Sequence, residues 1–350
     1  MKKVFLFLPI VCLIGILGGC TGIKVLTVET YEPARITLPD NVHSLVVVNN
    51  VVQQPDNVGH NHIPIGHSQA ERVEASSDSV AIYYTEALTQ FLDEEEYYHL
   101  VFYYNEPLRS DNHFFIEQPL MPETMSRLRE ETGANAVISL DMLIIRTDKR
   151  DHFKQQGYTY SELTAKINST WRVYMPTMEG KIPTVHYEDS LRWEGFDIQD
   201  NRVYSDAMIP SREEAMKILA VQAADKMSQV FSPHWVRQER WYYTSGSSLM
   251  RKGASLARES KWPEAIAKWE TYFRSQSNKV DKAKAASNIA FAYEMKGDME
   301  EAYTWAVIAN DLFTEQTGTN ALESRRSLIY KNELNRRRDK SNRIDMQNEI

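Results

Sequence analysis

The stretch Ala136-Val137-Ile138-Ser139-Leu140-Asp141-Met142-Leu143-Ile144-Ile145 decides the fold. It is almost continuously apolar and follows Gly133 closely, the pattern of a strand buried on both faces, so it belongs at the centre of a sheet. The two runs that follow differ from it. Leu163, Ala165, Ile167, Ser169, Trp171 and Val173 alternate with Thr164, Lys166, Asn168, Thr170 and Arg172, and Val185, Tyr187, Leu191 and Trp193 repeat the alternation. Each is a strand with one wet face, and Met178-Glu179-Gly180 between them reads as a hairpin turn. Upstream, Lys24–Val28, Ser44–Val48 and Tyr98–Tyr103 have strand character, and the polar stretch of about 25 residues after Asn50 reads as a loop. Helical spacing runs from Ser79 to Glu94 with Asp78 placed to cap it, and Pro122–Thr132 is a short helix closed by Gly133. A third helix opens at Ser211, carries Glu213 and Glu214 in its first turn, and stops at Pro233. These elements predict an α/β domain of two or three layers with a mixed sheet.

The C-terminal third is helical and repetitive. Gly253, Leu256, Trp262, Ala265 and Trp269 are echoed by Ala290, Tyr293, Met299, Ala302 and Ala306, each pair 37 residues apart. The fold class is therefore α+β, the mixed-sheet domain being followed by an all-α array of helical hairpins. The copy Asn288-Ile289-Ala290-Phe291-Ala292-Tyr293, then Lys296-Gly297-Asp298-Met299-Glu300-Glu301-Ala302, resembles a tetratricopeptide repeat. That resemblance implies a concave groove for peptides, lined here by Met250, Arg251, Ala254 and Arg258 and by Lys284, Asn288, Phe291 and Met295. Asn288 is placed where an amide would hold an extended backbone. Packing of the groove against the α/β domain of the same chain is the competing expectation. Two repeats leave apolar ends, so Asn320–Arg338, with Leu322, Leu328, Ile329 and Leu334 on one side, is expected to cap one end. The α/β domain, or Trp235, Trp241, Tyr242 and Tyr243 in the linker, could cover the other.

The element order of the first part resembles the domains of the TolB N-terminal and curli-secretion lipoprotein type. Glu131-Thr132-Gly133-Ala134-Asn135-Ala136-Val137-Ile138 carries that resemblance, as a helix ending in Gly-Ala that feeds the central strand.

At the N-terminus, Lys2 and Lys3 precede an apolar run from Val4 to Leu17, and Leu17-Gly18-Gly19-Cys20 resembles a bacterial lipobox. The resemblance implies cleavage before Cys20, diacylglycerol on its thiol and acylation of its new amino group, so that two or three chains anchor the protein stably. Thr21 in place of Asp implies sorting to the outer membrane, and the absence of acidic residues directly after Cys20 favours the periplasmic face. The domain borders follow: residues 1–19 as a cleaved signal, 20–231 as the α/β domain, 232–244 as a linker, 245–316 as two repeats, and 317–350 as a capping helix with a basic tail.

Composition narrows the chemistry. The formal net charge is −8, and loss of Lys2 and Lys3 with the signal would take it to −10, so general nucleic-acid binding is not expected. The two cysteines are Cys12 and Cys20, which leaves no disulfide or thiol chemistry for a mature chain beginning at Cys20. His60, His62 and His67 lie in the polar stretch and are expected to be solvated, with no metal and no cofactor. The acidic run Asp93–Glu96 reads as a frayed helix end. Arg325, Arg326, Arg336, Arg337, Arg338, Lys340 and Arg343 form a basic cluster able to meet anionic lipid, though a solvated helix face is the plainer expectation. No nucleophile elbow, zinc-protease, Walker or dinucleotide signature occurs. The expected function is a non-catalytic, lipid-anchored interaction scaffold with a protein or peptide partner and no small-molecule substrate. Arg251, Arg258, Lys284, Asn288 and Phe291 are its partner-binding candidates. The alternatives are an assembly or secretion subunit, or an envelope hydrolase using Asp141, Glu188 or Asp189.

Overall fold

The computed structural model of the chain describes residues 22–36, 38–39, 41–109, 111–153, 159–175, 182–195, 197–199, 202–204, 209–244 and 246–348. Cys12, Cys20 and the turn Met178–Gly180 lie outside the described residues. The architecture is α+β. Two compact units are present, one on Tyr31–Trp235 and one that joins the chain up to Thr30 with Val236–Asn342.

Strand β1 (Ile23–Glu32) comes first. The α/β unit then contains β2 (Ser44–Asn49), β3 (His60–Ile63), β4 (Glu71–Arg72), α1 (Val80–Glu94), β5 (Leu100–Tyr104), α2 (Pro122–Thr132) and β6 (Ala136–Phe153). It continues with β7 (Thr159–Tyr174), β8 (Thr184–Gly195), β9 (Asp197–Gln199), β10 (Arg202–Tyr204) and α3 (Arg212–Phe231). After β11 (His234–Tyr243) come five helices, α4 (Ser248–Arg258), α5 (Trp262–Ser275), α6 (Lys279–Met295), α7 (Met299–Thr317) and α8 (Leu322–Asn348). Residues 232–244, expected as a linker, therefore hold a strand, which pairs with β1.

Among the described residues the main sheet has seven strands, with β6 at its centre. The first half of β6 lies parallel to β2, and β2 is parallel to β5 in turn. Its second half lies parallel to β3, and β7 and β8 extend the other side antiparallel. The polar stretch after Asn50 thus supplies two strands, because β6 runs eight residues past Ile145 and offers a free edge to His60–Ile63. Leu45, Val46, Val47 and Val48 of β2 are all fully buried. Leu45 and Val47 pack with α1 and α3 on one face, Val46 and Val48 with Leu128 of α2 on the other, which is why this run is apolar at every position.

A β-bulge interrupts the pairing of β6 with β7. Leu140 faces Trp171 and Met142 faces Thr170, so Asp141 is the extra residue. The bulge changes which parity points inward: Ile138 and Leu140 enter the large core before it, Leu143 and Ile145 after it. On β7 the expected alternation holds, with Leu163, Ala165, Ile167, Ser169, Trp171 and Val173 all buried. Trp171 donates its Nε1–H to the Tyr84 hydroxyl at 3.2 Å and meets that ring edge-on.

Helix ends follow local chemistry. Ser211 caps α3 by accepting from the Glu214 amide at 3.1 Å. At α1 the cap residue is Ser79 and not Asp78, and no side chain bonds the helix end there. Gly133 ends α2 at φ +70°, a conformation that favours glycine.

In the helical unit the expected hairpins α4–α5 and α6–α7 turn at Ser260 and Gly297, both at positive φ. Gly253 permits the closest approach, since a Cβ there would lie 2.4 Å from Nε1 of the buried Trp269. Gly253→Ala is therefore expected to destabilise this unit by about 1–2 kcal/mol, overpacking exceeding the gain in helix propensity of about 1 kcal/mol. Urea denaturation followed by circular dichroism checks it. On α8 the buried side differs from the expected one: Ser324, Ser327, Tyr330 and Leu334 face inward while Leu322, Leu328 and Ile329 are exposed. The serines admit close packing, and Tyr330 reaches a buried carboxylate.

Candidate functional site

The groove positions of the helical unit surround a piece of the same chain. Asn288 on α6 accepts from the Tyr243 amide at 2.6 Å and donates to the Tyr243 carbonyl at 2.8 Å. One side-chain amide thus satisfies both polar groups of one extended residue, leaving neither orphaned in the core. The Tyr242 ring stacks on Phe291 at 5.9 Å, Trp262 meets Phe291 edge-on, and Tyr243 packs on Phe313. The Tyr243 hydroxyl donates to Glu323, and burial with that carboxylate pushes the phenol far above its ordinary pKa. Asn288 and Phe291, expected to face an incoming peptide, are fully buried beneath Tyr242 and Tyr243.

The other candidates lie outside this clasp. Arg251 and Arg258 are exposed, the first bonded to the Gly246 carbonyl and the second to the Ser255 hydroxyl. Lys284 is half-buried and lies 3.8 Å from Asp281. Tyr242 and Tyr243, expected only as a cover for one end of the array, are the residues that occupy the clasp. Their signal is the aromatic triplet Trp241–Tyr243 at the end of an alternating run, which fits an inserted strand better than a linker.

A buried ionic cluster joins β11, α6 and α8. Glu294 accepts from Arg240 Nε at 2.9 and 3.1 Å and from the Tyr330 hydroxyl at 2.6 Å, and it pairs with Arg337. Burial and Glu294 hold the Tyr330 phenol well above its ordinary pKa. Other members of the basic cluster also have partners: Arg326 meets Glu323, Arg336 meets Glu333, and Arg338 lies near Glu300 and over the Tyr303 ring. The side chains of Lys340 and Arg343 lie outside the described residues.

In the α/β unit the bulge residue Asp141 organises a second buried network. Its Oδ1 accepts from Ser139 at 2.5 Å and Asn50 at 2.9 Å, its Oδ2 from Arg172 at 2.6 Å and Tyr174 at 3.0 Å. Arg172 reaches on to Glu117 at 2.6 Å, which also takes a bond from Thr170. Burial pushes the Glu117 carboxyl up, but these bonds and the Arg172 charge hold it below the usual range. Four donors saturate Asp141, an arrangement that fixes a bulge. Glu188 accepts from Asn168, and Asp189 from Tyr187, Gln222 and Lys226.

A cavity of about 350 Å³ lies beyond the carboxyl ends of β2 and β5, where open α/β sheets receive ligands. Asn49, Gln54, Ser77, Asp78, Tyr103 and Arg109 are among its walls. Gln54 is bonded to the Val58 and Ile145 carbonyls and the Ile145 amide, and Arg109 to Asp111 and the Ile116 carbonyl. Those two side chains thus serve the wall.

The histidines diverge. His62 Nε2 lies 2.7 Å from Asp151, and His67 is exposed beside Glu71. His60 is buried with Nδ1 2.8 Å from the Thr147 hydroxyl, which accepts from Arg212. Among the described residues no three His, Cys, Asp or Glu side chains group around a metal position. Burial, and then the Arg212 charge, lower the His60 pKa below 6.5, despite Glu213, Asp56 and Asp148. The folded state therefore holds His60 neutral where the unfolded chain protonates it. Its contribution is complete above about pH 6.5 and declines as pH falls from there towards the lowered folded value. His60→Gln is expected to flatten the loss of stability between pH 7 and 5, read from urea midpoints.

A family model described as "Domain of unknown function (DUF8603)" matches residues 42–243, and a second, "Domain of unknown function (DUF6340)", matches residues 251–336. No curated protein matches the chain.

Proposed function

We propose, from the premise that the chain belongs to the family described as domain of unknown function DUF8603, that it is a lipid-anchored envelope protein acting as a non-catalytic interaction scaffold. The observation that carries the binding half is the exposed pair Arg251 and Arg258 on α4, since Asn288 is taken up by Tyr243 of β11. The exposed Arg251 and Arg258, seven residues apart on α4, share one helix side with a charge that suits a partner segment bearing carboxylates. A protein or peptide partner suits this surface, and nucleic acid does not suit the chain's net charge of −8.

The anchoring half rests on Lys2, Lys3, the apolar run to Leu17 and Cys20. Acylated Cys20 would hold the protein at the periplasmic face of the outer membrane. Cys20→Ser is expected to move the protein out of the membrane fraction or stall its processing, as fractionation and labelling with a tagged fatty acid would report. An unlabelled wild type would contradict this half. For the binding half, pull-down from solubilised envelopes should lose its partner when Arg251 and Arg258 are both alanine; a partner retained at the same yield would contradict it.

A further inference from the structure

The outer edge of β8 is long and, among the described residues, unpaired. Among the described residues β8 pairs with β7 alone, over an unbroken register from Thr184 opposite Arg172 to Gly195 opposite Ser161. The other edge strands of the main sheet, β4 and β5, have two and five residues, whereas β8 has twelve. Proteins usually blunt such an edge with proline, lysine, a bulge, shortness or an inward-pointing charge; of these β8 has only the last, Asp189, which is held by Tyr187, Gln222 and Lys226. Its solvent face carries Thr184, His186, Glu188, Ser190, Arg192 and Glu194, all exposed. On the other face Tyr187, Leu191 and Trp193 are only partly buried against the core. Helix α3 flanks this edge through Gln222 and Lys226, which bond Asp189, and Ile218, one turn earlier on the same stripe, is 41% exposed.

The sequence of β8 complements itself. An antiparallel second copy with Ser190 facing Ser190 sets Glu188 opposite Arg192 and His186 opposite Glu194, each twice by the two-fold axis. On the apolar side the same register sets Tyr187 opposite Trp193. The neighbouring registers that keep the same face outward are worse: one sets Asp189 against its own copy, the other sets Glu188 against Glu194. We propose that β8 is a self-association edge, and that two copies of this chain join their sheets across it in the Ser190-centred register. The backbone bonds and the half-covered aromatics supply the attraction. The charges choose the register, since exposed ion pairs add little energy and like charges are rejected.

The test is sedimentation velocity on the full chain in detergent, with circular dichroism as the control for folding. The wild type is expected to be a dimer. Arg192→Glu should raise the dimer dissociation constant at least tenfold, Glu188→Arg should do the same, and Glu188→Arg with Arg192→Glu should restore it by reversing both members of each pair. Ser190→Cys should yield a disulfide-linked dimer on mild oxidation that the wild type does not form, since opposite residues of an antiparallel pair lie within disulfide reach. A wild type that stays monomeric up to about 100 µM, a dimer indifferent to Arg192→Glu, or a double variant no tighter than the singles would each overturn the proposal. A dimer that Ser190→Cys fails to link would overturn the register.

Discussion

Asp141→Ala is expected to destabilise the α/β unit by about 3–5 kcal/mol, the range for breaking a buried ion pair from one side. The loss has a clear origin. Asp141 is fully buried and accepts from Ser139, Asn50, Arg172 and Tyr174, so its removal strands four donors at once. Among the described residues Arg172, 13% exposed, then keeps Glu117 alone to balance its charge. The bulge itself loses its reason, because Asp141 is the residue that the mismatch between β6 and β7 turns toward these partners. The urea midpoint should fall with an unchanged slope. Asp141→Leu combined with Arg172→Met should recover part of the loss, since a matched apolar pair removes the stranded charge. A loss below about 1 kcal/mol, the value of an exposed pair, would contradict a structural role for this network.

Glu294→Ala should cost the helical unit a similar amount, about 3–5 kcal/mol. Arg240 and Arg337, 7% and 13% exposed, would face each other without the carboxylate between them. The Tyr330 hydroxyl would lose its acceptor, and with it the contact that directs α8 onto α6. Glu294→Gln keeps the shape and an acceptor oxygen but loses the charge, so an intermediate loss is expected, again read as a midpoint in urea. Equal stability for Glu294→Ala and the wild type would show that the cluster balances its own desolvation and holds nothing.

Much of the frame was legible because burial imposes a period. The inward residues of β7 alternate without a fault, the apolar run at Ala136 is central, and Ser211 and Gly133 mark the helix ends their chemistry predicts. Less legible were the places where one residue breaks a period or where a partner far along the chain decides. Asp141 within an apolar run gives no sign by itself that the inward parity changes there. His60–Ile63 lacks an apolar alternation, and becomes a strand because the extended β6 offers it an edge. On α8 Leu322, Leu328 and Ile329 suggest the wrong side, since Tyr330 and two serines pack beside Leu334 where close approach and a buried carboxylate favour them.

The candidate site was half legible. Asn288 reads from the repeat as a residue that holds an extended backbone, and it does hold one. That the backbone is Tyr243 of the same chain depends on the aromatic triplet entering the array, a tertiary event that spacing within the repeat does not encode. Arg251 and Arg258 are exposed outside that clasp, and Lys284 is half-buried beside Asp281.

The most direct measurement of the anchored-scaffold reading is photo-crosslinking in intact cells from a reactive residue placed at position 251. The expected result is a discrete adduct with another envelope protein that disappears when Cys20→Ser removes the anchor. Adducts confined to the chain itself, or an adduct unchanged by Cys20→Ser, would contradict it.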